Sequence, residues 1–136
     1  MITSASYPKE NVSLGEDSAK IRGALDDYVA GFRDGSLVRF QRAFAAESIM
    51  VEKNNDRDGA ITITQLARLL PAWSSRPDPN AHLDKVVISY GGQDLAVATL
   101  ELHYNRTVYN DQLNFYRYGE RWKIAAKLTT IAKSVN

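Results

Sequence analysis

Residues 21–52 read IRGALDDYVAGFRDGSLVRFQRAFAAESIMVE, and the change of period inside them decides the fold. Ile21, Leu25, Tyr28, Val29 and Phe32 recur at i, i+4, i+7, i+8 and i+11, one face of an amphipathic helix. Asp17 or Ser18 is expected to cap its start, and Gly35, in DGS, to end it. Ser36 is placed to cap a shorter second helix that presents Leu37, Phe40 and Phe44. From Ser48 the period drops toward two. Ser48, Met50 and Glu52 then share one face of a strand, and Ile49, Val51 and Lys53 the other.

Upstream, residues 1–15 (MITSASYPKENVSLG) show no hydrophobic period and read as a polar arm, leaving residues 16–136 as a single domain. Downstream, NNDRDG is a turn and ITIT a short extended segment. Thr64 is expected to cap a third helix containing Leu66, Leu69, Leu70 and Trp73, which Pro71 shortens or kinks. After the loop SSRPDPNAH the chain reads as an antiparallel meander: DKVVISY, LAVATLELHYN, RTVYNDQLNFYRY and WKIAAKLTTIA. In the second of these strands Ala96, Ala98, Leu100, Leu102 and Tyr104 form the apolar side. In the last, strict alternation puts Trp122, Ile124, Ala126, Leu128 and Thr130 on one side and Arg121, Lys123, Ala125, Lys127 and Thr129 on the other. Helices first and long strands later give the α+β class. Three helices over a curved sheet leave a concave, mostly apolar pocket where side chains fail to meet, the usual setting for a small molecule.

Composition narrows the function classes. Seventeen basic against sixteen acidic side chains leave a net charge of +1, so no basic stripe points to nucleic acid. The absence of cysteine removes disulfides, thiolate catalysis and cysteine zinc sites. The two histidines, His82 and His103, stand too far apart in sequence for the usual histidine-rich metal sites, so no metal is expected. No GxGxxG or Walker loop occurs, so no cofactor is expected. No apolar run is long enough for a membrane span or a secretory h-region, and the expected setting is cytoplasmic.

The segment IRGALDDYVAGFRDGSLVRFQRAFAAESIMVE, followed by a meander ending in GERWKIAAKL, resembles the NTF2-like, or SnoaL-like, superfamily over residues 18–132. Within it the chain is most similar to the bacterial group labelled "putative lumazine-binding". The resemblance implies a cone-shaped half-open barrel with three N-terminal helices covering a curved antiparallel sheet. It leaves function open, because the superfamily includes isomerases, dehydratases, cyclases, epoxide hydrolases and non-catalytic binding modules. The stretch from Tyr28 to Glu52 also resembles the ketosteroid isomerases without a gap. That likeness implies Tyr28 as hydrogen-bond donor to an oxyanion and Glu52 as general base. The isomerases' oxyanion aspartic acid would fall at Leu113, which neither donates a hydrogen bond nor carries charge, so ketosteroid isomerase activity is not expected. Asp111 and Asn114 lie nearby, and parity sends Asn114 to the outer face.

The leading expectation is a domain that binds a small hydrophobic or heterocyclic molecule in a cavity lined by Tyr28, Phe32, Met50, Glu52, Trp73, Leu100, Leu102, Leu113 and Phe115. The alternative is an isomerase, dehydratase or cyclase working through Tyr28 and Glu52. A third reading is a non-catalytic dimeric interaction module. Each residue has a plainer role open to it: Tyr28, Trp73 and Trp122 as core, Glu52 reaching solvent, and His103 on the polar outer face with Thr99 and Glu101. Tyr116, Tyr118, Lys123 and Lys127 are assigned to that same outer face, through which a homodimer is expected.

Overall fold

A computed structural model describes residues 7–54 and 58–134, with side chains from residue 15 onward. The chain runs α1 (Tyr7–Asp34), α2 (Leu37–Ala43), β1 (Phe44–Asn54), β2 (Ala60–Gln65), a 3-10 turn (Leu66–Arg68), α3 (Leu70–Ser74), β3 (His82–Tyr90), β4 (Leu95–Tyr104), β5 (Thr107–Tyr118) and β6 (Arg121–Ser134). One six-stranded sheet has the order β2-β1-β6-β5-β4-β3. The α+β class is as expected. The sheet is antiparallel except where β6 lies parallel to β1, which joins the meander to the first hairpin.

Local chemistry explains most of the boundaries. Gly35 takes a left-handed φ of 65°, ending α1 at the position where a side chain would be strained. The Ser36 hydroxyl then accepts the Arg39 N–H at 3.1 Å and caps α2. Asn105 and Arg106, at φ 50° and 63°, form the two-residue turn between β4 and β5, a left-handed pair that matches strand twist.

Three expectations change. α1 starts at Tyr7, well before the Asp17 or Ser18 cap; Pro8 suits a first turn because its missing N–H has no helical acceptor there. Of the polar arm assigned to residues 1–15, residues 1–6 lie outside the described residues. Asp17 is instead a buried mid-helix side chain that accepts the Trp122 indole N–H at 3.1 Å and sits 3.7 Å from Arg117. The third helix is broken: Thr64 belongs to β2, and the five-residue α3 begins so that Pro71 falls in its first turn. Finally, Ala125 is a bulge in β6, since Phe115 pairs with Ile124 and Asn114 with Ala126. Before it Trp122 and Ile124 point into the core; after it Lys127 and Thr129 do, and Leu128 turns outward. The strict alternation that put Lys127 on the outer face with Lys123 fails at this one residue.

The core lies between α1 and the inner face of the sheet. Ile21, Leu25, Tyr28 and Phe32 pack toward Ala96, Ala98, Leu102, Leu113, Phe115 and Ile124, all buried. Phe40 from α2 closes over Gly31, where an added Cβ would sit 2.3 Å from its ring. Among the described residues no helix is long and apolar enough to cross a membrane.

Candidate functional site

At the open end of the core a cavity of about 280 Å³ is walled by Phe32, Leu69 and Trp73 on one side and by Met50, Leu102, Tyr104, Tyr109, Lys127 and Thr129 of the sheet on the other. Glu52 lines it as well. Ser48, Met50 and Glu52 share the inner face as their alternation predicts, with Glu52 nearest the rim and half-buried. Trp73 is held in place through its neighbours: the Tyr104 hydroxyl donates to the Arg76 carbonyl at 2.8 Å, tying down the loop after α3. The Phe32 ring lies between Trp73 and Tyr104, at centroid distances of 5.3 and 4.6 Å.

The base of this cavity is polar and buried. Lys127, 3% exposed, donates to the Tyr28 hydroxyl at 2.6 Å. Tyr28 donates in turn to Asp111 Oδ2 at 2.5 Å, and Thr129 donates to Asp111 Oδ1 at 2.8 Å. The Lys127 Nζ is 3.6 Å from the Asp111 carboxylate. It also faces three rings, Trp73 at 4.6 Å, Tyr28 at 5.1 Å and Phe32 at 5.4 Å. Each polar atom of the cluster therefore has a partner, the condition for polar groups to be tolerated in a core.

Burial lowers the Lys127 pKa; the carboxylate of Asp111, and more weakly that of Glu52, pushes it back up. Burial raises the Tyr28 phenol well above its ordinary value, and the charge and hydrogen bond of Asp111 add to this. Burial likewise raises Tyr109. Tyr28 therefore stays a neutral donor to Asp111. Lys127, an ammonium with three N–H bonds, spends one on Tyr28 and retains donor capacity toward the cavity.

Of the nine residues expected to line the cavity, Phe32, Met50, Glu52, Trp73 and Leu102 do so. Tyr28 lies beneath it, fully buried, with its hydroxyl engaged by Lys127 and Asp111. Leu113 and Phe115 are fully buried under α1, and Leu100, nearly so, also sits in the packed core. Sequence reasoning missed Lys127 and Asp111. Asp111 carried a usable signal, the same strand parity as Leu113; Lys127 was concealed by the bulge. His82 and His103, distant in sequence, are cross-strand partners with rings stacked 4.3 Å apart.

A helical layer over one bulged six-stranded sheet, with a small cavity at its open end, is the architecture of NTF2-like proteins. The chain superposes on an NTF2-like protein of unknown function from Shewanella baltica with a TM-score of 0.77, at 17% identity, covering 88% of this chain and 96% of that one. Similar proteins of unknown function from Silicibacter pomeroyi and Methylobacillus flagellatus give TM-scores of 0.74 and 0.72, at 19% and 18% identity. Both pairings cover 87% of this chain, with 98% and 94% of the other. At these identities the likeness is one of fold. The chain belongs to the family described as "Putative lumazine-binding", whose profile matches residues 16–129. No curated protein matches it.

Proposed function

We propose that the protein binds a small, flat, partly apolar heterocycle in the cavity at the open end of the cone, with a carbonyl or anionic oxygen of the ligand directed at Lys127. The observation that carries this reading is the buried Lys127 ammonium, set among three ring faces at the base of an otherwise largely apolar pocket. A lumazine-type bicycle, suggested by the family description, has ring carbonyls for Lys127 and Tyr109 to donate to, ring N–H groups for the Glu52 carboxylate to accept, and faces that stack on Trp73. About 280 Å³ lies just below the usual span of ligand sites, about 300–1,000 Å³, so only a compact molecule fits.

The test is calorimetric titration with lumazine, supported by its effect on melting temperature. Glu52→Gln leaves the Lys127–Asp111–Tyr28 cluster intact and is expected to weaken binding by roughly tenfold or more, the value of one charge-assisted hydrogen bond. A saturating panel of pteridine and flavin-like heterocycles that never shifts the melting temperature sinks the proposal.

A second reading is a proton-transfer enzyme of the isomerase, dehydratase or cyclase kind. It is favoured by the presence of Glu52 and Lys127 on one cavity, an acceptor and a cationic donor on the same ligand space. Here Glu52 takes the proton and Lys127, backed by Tyr28, holds the developing oxyanion. Turnover of an enolisable ketone that survives Glu52→Gln would eliminate it. Pairing of two copies through the outer sheet face is supported by the exposed Ile61, Ile63, Tyr116 and Leu128 and by a shallow groove of about 420 Å³ there; light scattering reads the mass directly.

A further inference from the structure

We propose that the outer face of the β3–β4 ribbon carries a divalent-cation site of the Zn²⁺ or Co²⁺ class, with Asp84, Glu101 and His103 as its ligands. It stands apart from the inner cavity and does not depend on it. Strand register makes the cluster: His82 pairs with His103 and Asp84 with Glu101, so HLD of β3 faces ELH of β4. One oxygen from each carboxylate and one ring nitrogen of His103 lie within 4.8 Å of one another.

Two observations go beyond this proximity. The Nε2 atom of His103 is buried and makes no hydrogen bond among the described residues, although Glu101 Oε1 is 3.6 Å away. That distance is a few tenths of an ångström above the separation of about 3.3–3.4 Å between donors on a tetrahedral centre with bonds of about 2.0–2.1 Å. A cation there would satisfy the orphaned nitrogen and both carboxylates together. Secondly, a cavity of about 370 Å³ lined by Asp78, His82, His103, Asn105 and Arg106 opens beside the histidine pair, on the side of the His103 ring away from Asp84 and Glu101, which do not line it, and leaves that ring reachable from solvent.

The surroundings support the assignment. The His82 ring stacks on His103 at 17° between planes, and its Nδ1 is within 2.9 Å of the Asn80 carbonyl, so it orients the ligand ring without competing for the ion. One imidazole with two carboxylates suits a borderline divalent ion better than Mg²⁺ or Ca²⁺, which prefer oxygen alone. The competitor is Lys85, whose ammonium lies 3.2 Å from Glu101 Oε2. Its side chain is 71% exposed and can swing into solvent when an ion arrives.

The experiment is titration of the full chain with Co²⁺, followed by visible d–d absorption, and with Zn²⁺ by calorimetry. Saturation at one equivalent is expected. His103→Gln and Glu101→Gln should each weaken binding by at least about tenfold, while keeping the metal-free melting temperature close to that of the parent. Lys85→Met, which removes the competing charge, should tighten it. Absence of saturable binding overturns the proposal, as does a Co²⁺ spectrum or Zn²⁺ affinity left unchanged by His103→Gln.

Discussion

Replacing Lys127 with methionine keeps the length of the side chain and removes its charge. The Asp111 carboxylate is then left in the core with hydrogen bonds from Tyr28 and Thr129 but without its cation at 3.6 Å. Removing one member of a buried ion pair costs about 3–5 kcal/mol, because the remaining charge is stranded in a medium that solvates it poorly. Three cation–π contacts are lost as well, though methionine recovers part of the packing against Trp73 and Phe32. For a chain of this length, 3–5 kcal/mol corresponds to a fall in melting temperature of roughly 10–20 °C. The assay is urea unfolding at neutral pH, with stability taken from midpoint and slope together. Asp111→Asn supplies the control: it removes the stranded charge and keeps an acceptor for Thr129. Combined with Lys127→Met, it should destabilise by about 1–3 kcal/mol less than the two single changes added together. A Lys127→Met protein within 1 kcal/mol of the parent, or a strictly additive double variant, refutes the account of Lys127 as counter-ion to Asp111.

Other consequences follow from the same packing. Tyr28 keeps its proton in the folded chain at pH values where an unfolded tyrosine, titrating near pH 10, has lost it; the folded state then binds more protons, and stability falls as pH rises past about 10. Lys127, lowered by burial, acts in the opposite sense just below its ordinary value; Tyr28→Phe should reduce the alkaline loss seen in pH-dependent melting, and the part that remains belongs to Tyr104, Tyr109 and Tyr118, whose phenols burial also raises. The Ser48 hydroxyl is buried without a partner among the described residues, and Ser48→Ala should raise stability by about 1 kcal/mol in thermal unfolding. Gly31→Ala should destabilise, since a Cβ 2.3 Å from the Phe40 ring costs about 1–3 kcal/mol by overpacking, more than the better helix propensity returns; a stabilised variant would contradict the close packing of α1 on α2.

The fold was legible wherever a period ran unbroken. The helix face from Ile21 to Phe32 and the alternation from Ala96 to Tyr104 became the two sides of the core. The cap at Ser36, the αL glycine at Gly35 and the inward set Ser48, Met50 and Glu52 were equally readable, because each rests on local backbone chemistry. The start of α1 was not, because the segment from Tyr7 to Asp17 lacks an apolar stripe for periodicity to detect. The site was half legible. Its aromatic wall was visible as helix spacing, whereas its charge depends on Asp111, which shares the strand parity of Leu113, and on Lys127, which the bulge at Ala125 turns inward. Nor does spacing along the chain reveal His82 beside His103; that pairing comes from hairpin register.

The extra residue at Ala125 has a meaning for how such chains diversify. The side chains of β6 from Ala126 to Ile131 change sides relative to an unbulged strand, while the pairing with β5 resumes at once. Closing the bulge with Ala125 retained would slide the rest of β6 by one place against β5 and exchange Lys127 and Thr129 for Leu128 and Thr130 on the inner wall, whereas deleting Ala125 itself leaves Lys127 opposite Leu113 and facing inward. Between two homologues that differ by this residue, an alignment drawn straight through β6 equates an ammonium facing the ligand space with an aliphatic side chain facing water. The inward positions of such a pair correspond only when the gap is set at Ala125.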